Sequence, residues 1–132
     1  KDDIIKRILR LYKKDNLYPM FTDQLFTPSF IDDLAPATKL LLNKKLSGIF
    51  HLASPKTTSQ YEFACEVISV FGGDPQHVKK ASVVDFLRKR GMTPRPQNGG
   101  LVVAKIIKAG FLPTDWKKGT REVFRQSGRQ LL

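Results

Sequence analysis

Apolar residues recur at helical spacing in four stretches of this chain and form one continuous run between them. The first stretch carries Ile4, Ile5, Ile8, Leu9 and Tyr12, with Lys6, Arg7, Arg10 and Lys13 off the stripe. This spacing predicts an amphipathic helix to about Lys14, capped by Asp2 or Asp3. The second predicts a helix from about Asp33 to Asn43, with Leu34, Ala37, Thr38, Leu41 and Leu42 facing inward and Pro36 in the first turn, where a missing N–H costs little. The acidic pair Asp32-Asp33 reads as its cap, since no histidine or third acid stands near to complete a metal set. The continuous run is Ile49-Phe50-His51-Leu52-Ala53. Apolar on both faces, it reads as an interior strand of a sheet larger than these residues supply. Ser59 then opens a third helix, with Glu62 completing a capping box. Phe63, Ala64, Val67, Ile68 and Phe71 form its stripe, and Gly72-Gly73 stops it.

Weaker signals fill the rest. Tyr18–Phe21 reads as a short edge strand because of Pro19, Val78–Val83 as another strand, and Phe86–Arg90 as a helical turn. Residues 91–100 form a loop rich in glycine and proline. Leu101–Ala109 is expected to be a helix, with Leu101, Ala104, Ile106 and Ile107 apolar and Gly110 ending it. Thr114 or Asp115 caps a last basic helix from about Lys117, fraying at Gly128. The pattern gives an α/β fold with five or six helices and three or four short strands.

Charge and cysteine usage narrow the function classes. The chain has 132 residues and a formal net charge of +11, yet residues 15–78 hold four Lys/Arg against seven Asp/Glu. The excess lies at the amino end, around Lys79–Arg95, and from Lys105 onward. Such a field attracts anions in general. It keeps a nucleic-acid-binding module open as a competing class, although no recognition motif supports one. No apolar run is long enough to span a bilayer. The single cysteine, Cys65, excludes an internal disulfide and fits a cytoplasmic setting. It reads as a small helix residue rather than a nucleophile. The chain starts at Lys1, which suggests a trimmed or partial product. His51 reads as a packed, hydrogen-bonded residue, His77 as a loop residue without partners, and Trp116 as a core residue rather than a base-stacking platform.

Three stretches in order carry a family resemblance: Asp23-Gln24-Leu25-Phe26-Thr27-Pro28-Ser29-Phe30-Ile31-Asp32-Asp33-Leu34-Ala35; Gly48-Ile49-Phe50-His51-Leu52 with Tyr61-Glu62-Phe63-Ala64; and Arg95-Pro96-Gln97-Asn98 with Lys105 and Gly110-Phe111. Together they resemble the carboxy-terminal part of the dTDP-4-dehydrorhamnose reductases, of the extended short-chain dehydrogenase/reductase superfamily. The regulatory β subunit of methionine adenosyltransferase is a similar relative. The resemblance implies that residues 1–132 are the substrate-binding portion of a nucleotide-sugar reductase, and that the Rossmann half holding NADPH or NADH lies outside this chain. It thereby implies no catalytic, cofactor or metal residue here. None of the nine glycines sits in a phosphate-binding loop. The superfamily's tyrosine with lysine four positions later is also absent: Tyr12, Tyr18 and Tyr61 are followed at that spacing by Asn16, Thr22 and Cys65. The expected partners are a nucleotide-diphosphate sugar and the missing Rossmann half or another protein, with no membrane; nucleic acid stays with the competing class.

Within the matched region the family's Asn-Ser-x-Leu-Asp is replaced by Asn98-Gly99-Gly100-Leu101-Val102. The capping serine and aspartate are gone and two glycines are expected to loosen the start of the late helix, which leaves room for a non-catalytic, regulatory relative. Two loops are the candidate substrate contacts. Arg95 can donate bidentately to phosphate, Asn98 and Gln24 can bond hydroxyls or a base edge, Phe26 can form a wall, and Thr27 lies between. The same residues have a second reading, in which Arg95 and Asn98 satisfy turn backbone and surface acids and Phe26 is core.

Overall fold

The computed structural model describes residues 3–88 and 91–128. Six α-helices occur among them: α1 (Ile4–Lys13), α2 (Leu34–Asn43), α3 (Gln60–Val70), α4 (Val83–Leu87), α5 (Ala104–Lys108) and α6 (Trp116–Gln126). Four two-residue strands accompany them: β1 (Met20–Phe21), β2 (Leu25–Phe26), β3 (Thr58–Ser59) and β4 (Lys80–Ala81). β1 runs parallel to β4, with Met20 opposite Lys80 and Phe21 opposite Ala81. β2 runs antiparallel to β3, with Leu25 opposite Ser59 and Phe26 opposite Thr58. The architecture is α/β, as the pattern predicts. No described helix is long and apolar enough to cross a membrane.

The main core is built on α3. Phe63, Ala64, Val67 and Ile68 are buried against Ile5, Ile8 and Leu9 of α1 and Trp116 of α6. The α3 capping box forms as read: Ser59 Oγ accepts from Glu62 N at 3.1 Å and Glu62 Oε2 accepts from Ser59 N at 3.1 Å. Asp3 caps α1 by accepting from Lys6 N, and Asp115 caps α6 by accepting from Lys117 N. Gly72 turns the chain after α3 at φ +82°. Next to it, a Cβ at Gly73 would stand 2.8 Å from Ile68 Cγ2 and 2.9 Å from the Tyr12 ring. That close approach lets the Tyr12 hydroxyl accept from Asp74 N at 2.9 Å and lie 3.2 Å from Asp74 O, to which it donates. A second, smaller cluster holds Ala53, Val103 and Ile106, with Leu41, Phe50, Leu52 and Phe111 packed on it.

Several expectations are corrected. Ile49–Ala53 is not a strand. A strand needs a partner ladder, and the described residues offer none along this run. Its hydrogen bonds come singly instead: Lys105 Nζ donates to Ile49 O at 3.0 Å and Ser29 Oγ to Leu52 O at 3.0 Å. His51 within it is exposed rather than packed. Asp33 does not cap α2; its carboxylate is buried and accepts from Thr114 N at 2.7 Å and Thr114 Oγ1 at 2.8 Å, tying α2 to the segment before α6. Asp32 accepts from Gln126 Nε2. Of the expected inner face of α2 only Ala37 is buried, with Leu41 half-buried, while Leu34 and Leu42 are 53% and 71% exposed. His77 has a partner, Asp74, at 3.3 Å. The late helix is shorter than read, beginning at Ala104 without a side-chain cap; Leu101 and Ile107 are exposed. Asp2, offered as an alternative cap, and the end of the Phe86–Arg90 turn lie outside the described residues. Trp116 is buried against Phe63, as expected.

Candidate functional site

The two candidate loops meet at Leu25. On one side Leu25 pairs with Ser59 through the β2–β3 ladder. On the other it forms a parallel bridge with Asn98, with Leu25 N donating to Gln97 O at 2.6 Å and Gly99 N to Leu25 O at 2.9 Å. β2 is therefore the middle of three aligned segments, and residues 96–99 lie against it rather than trailing free.

The glycine pair makes this approach possible. A Cβ at Gly99 would stand 3.3 Å from Leu25 O, and one at Gly100 would stand 2.9 Å from Thr57 Cγ2. Besides preceding a helix that starts only at Ala104, the two glycines seat the loop against Leu25 and Thr57. The loss of a capping side chain is as read, since no side chain caps α5.

Side chains from both loops then fix the junction. Gln24 Nε2 donates to Pro96 O at 3.1 Å, and Gln24 Oε1 accepts from Gln60 Nε2 at 2.8 Å. Thr27 Oγ1 accepts from Leu101 N at 3.0 Å. Phe26 is half-buried and meets Phe63 edge-on at 5.6 Å. Gln24 and Thr27 therefore spend hydrogen bonds on holding the loops together, and Gln24 keeps one N–H for another acceptor. Arg95 is exposed beside the Pro96 that Gln24 holds, its guanidinium 5.5 Å above the Phe86 ring. Asn98 is exposed at the bridge. All five sequence-selected residues thus gather at one junction, three of them also packing or bonding it.

Sequence reading missed the residue that positions the ring under Arg95. Asp23 accepts from Ser82 Oγ at 2.6 Å and Val83 N at 2.6 Å, with Val84 N at 3.4 Å, gripping the amino end of α4. The Ser82 hydroxyl first, and then the Val83 N–H, hold the Asp23 carboxyl below the usual carboxylate range. Phe86 projects from α4 and packs on Phe21 of β1 at 5.5 Å. The signal was present as Ser82-Val83-Val84-Asp85, a helix-start pattern, but its second acceptor came from 59 residues away. Gln60 was missed for the same reason. The junction carries one guanidinium and two side-chain amides, groups that can hydrogen-bond a phosphorylated, hydroxyl-rich ligand.

A cleft of about 600 Å³ is lined by Tyr61, Glu62, Cys65 and Glu66 of α3 together with Lys56 and Lys117. Burial pushes the Cys65 thiol up. No cluster of metal-ligating side chains occurs among the described residues.

The family model for the RmlD substrate binding domain matches residues 1–128. A dTDP-4-dehydrorhamnose reductase of Escherichia coli is 28% identical over 95% of this chain and 44% of its own length. A probable low-salt glycan biosynthesis reductase of Haloferax volcanii is 33% identical over 67% of this chain and 28% of its own. The crystal structure of dTDP-4-dehydrorhamnose reductase from Bacillus anthracis in complex with NADP superposes with a TM-score of 0.81, at 22% identity over 96% of this chain and 44% of that one. A dTDP-glucose 4,6-dehydratase of the same organism shares the fold at a TM-score of 0.70. The chain spans less than half the length of each of these relatives. With the matched model covering nearly every residue, this chain belongs to the RmlD substrate binding domain family.

Proposed function

We propose that this chain is the substrate-binding part of an NAD(P)H-dependent nucleotide-sugar reductase of the dTDP-4-dehydrorhamnose reductase type, working in the cytoplasm. Its cofactor half is supplied by polypeptide outside these residues, and the 132 residues alone carry no turnover. The observation that supports this most is the junction at Leu25, where Arg95, Asn98 and Gln24 converge beside Phe26. In this reading Arg95 neutralises the diphosphate, Asn98 and the spare Gln24 N–H bond the sugar or the base, and Phe26 forms an apolar wall beside them. Thr27 holds the second loop in place through Leu101 N.

The test is an Arg95→Ala exchange in a protein that joins this chain to its cofactor half, with dTDP-sugar affinity measured by calorimetry. Affinity should fall by ~1–3 kcal/mol, the range for losing a charged hydrogen bond, with no change in melting temperature, since Arg95 is exposed. Unchanged affinity in a folded variant would sink the assignment. NADPH-dependent reduction by the 132-residue chain alone would equally defeat it.

A further inference from the structure

Asn98 is followed by a glycine, and the pair sits where the two loops meet. An asparagine side-chain amide is open to attack by the backbone N–H of the next residue. A bond forms between that nitrogen and Cγ, and the Cγ–Nδ2 bond breaks. Ammonia leaves with the proton of the attacking N–H, and a five-membered imide remains. Water then opens the imide to aspartate or isoaspartate, so the sequence needs no oxidant, reductant or cofactor. Glycine favours the attack because no Cβ hinders its nitrogen. The other two asparagines are followed by Leu17 and Lys44, and Asn43 lies within α2. Asn98 is also exposed to the water that completes the conversion.

The fold restrains this one pair. Gly99 N, the attacking atom, donates to Leu25 O at 2.9 Å, while Leu25 N donates to Gln97 O at 2.6 Å. Asn98 is thereby held in its parallel bridge to Leu25. For Gly99 N to reach Asn98 Cγ, the peptide between them must rotate and give up Leu25 O. A side chain secures the loop on either side of the bridge: Gln24 Nε2 holds Pro96 O and Thr27 Oγ1 holds Leu101 N. We propose that Asn98-Gly99 is a deamidation site of this chain, and that opening of the Leu25 bridge is the gate that sets its rate. Local opening, not global unfolding, then exposes the reacting amide. The product places a carboxylate on the loop that carries Arg95. Its effect on binding rests on the sugar-nucleotide reading: an acid there competes for the guanidinium and repels a diphosphate.

The test is peptide mass mapping of the 132-residue chain incubated in mildly alkaline buffer, folded and in urea. In urea Asn98 should convert well ahead of Asn16 and Asn43. Folding should slow its conversion at least about tenfold, because only the open bridge reacts. Gln24→Ala and Thr27→Val, each checked for folding by circular dichroism, should speed conversion in the folded chain and leave the urea rate unchanged. Equal rates in the folded and unfolded parent overturn the gate, as does a folded rate that neither variant raises. Conversion of Asn98 in urea no faster than that of Asn16 overturns the site. In a protein joining this chain to its cofactor half, Asn98→Asp should weaken dTDP-sugar binding at least about tenfold, by like-charge repulsion. Unchanged affinity there, with the gate upheld in the 132-residue chain, would count against the substrate reading alone.

Discussion

Asp23 shows how one carboxylate can organise the meeting of several segments. It lies just before Gln24 and grips the start of α4, so the ring beneath Arg95 and the loop facing it share one anchor. Its folded pKa lies below its unfolded value, so the stability it contributes is present above the unfolded pKa. That contribution is lost as pH falls through the ordinary carboxylate range toward the folded value. Asp23→Asn should therefore lower the melting temperature near neutral pH, and the gap to the parent should close on acidification. Thermal scans from about pH 7 to about pH 2 check this; a gap independent of pH would remove the ionic part of the role. At this scale the sequence was informative about residue type and less so about partners. Gln24 and Thr27 read as ligand contacts, yet their hydrogen bonds go to Pro96, Gln60 and Leu101, all remote in sequence. The capping role given to Asp33 failed likewise, because Thr114, 81 residues on, offers two donors.

Elements whose cause is local could be read from the sequence. The start of α3 depends on residues three apart, and Ser59 and Glu62 do what their spacing predicts. Ser59 also pairs with Leu25, so this cap adjoins the site junction. Ser59→Ala should cost about 1 kcal/mol of stability, the usual value for a lost amino-terminal cap, measured by urea unfolding. Glu62→Gln, which keeps an acceptor for Ser59 N, should cost less. Equal losses would mean that charge rather than capping geometry carries the effect. Elements whose cause is distant could not be read this way. Ile49–Ala53 has strand composition, but a ladder is a property of two segments, and no described segment pairs with this run. The seating role of Gly99-Gly100 is illegible for a related reason: it depends on Leu25 and Thr57, which the local pattern does not contain.

At the scale of the molecule, two clusters of unequal size divide the chain. The α1–α3–α6 core buries many large side chains, whereas the α2–α5 cluster has three buried residues and half-buried neighbours. Fewer buried contacts mean cheaper local opening. Native-state hydrogen exchange of the 132-residue chain should find α5 and the carboxy-terminal turn of α2 opening at lower free energy than α3. Equal protection across the three helices would show one cooperative unit instead.

The Tyr12 hydroxyl, meanwhile, holds both the amide and the carbonyl of Asp74 across a glycine that has no room for a side chain. The turn after α3 lies on the surface, where inserted residues are ordinarily tolerated. Here its length is fixed by a phenol from the first helix. An inserted residue would move Asp74 out of reach and break both bonds together, so this exposed turn is a poor place for a tag, a loop graft or a permuted terminus.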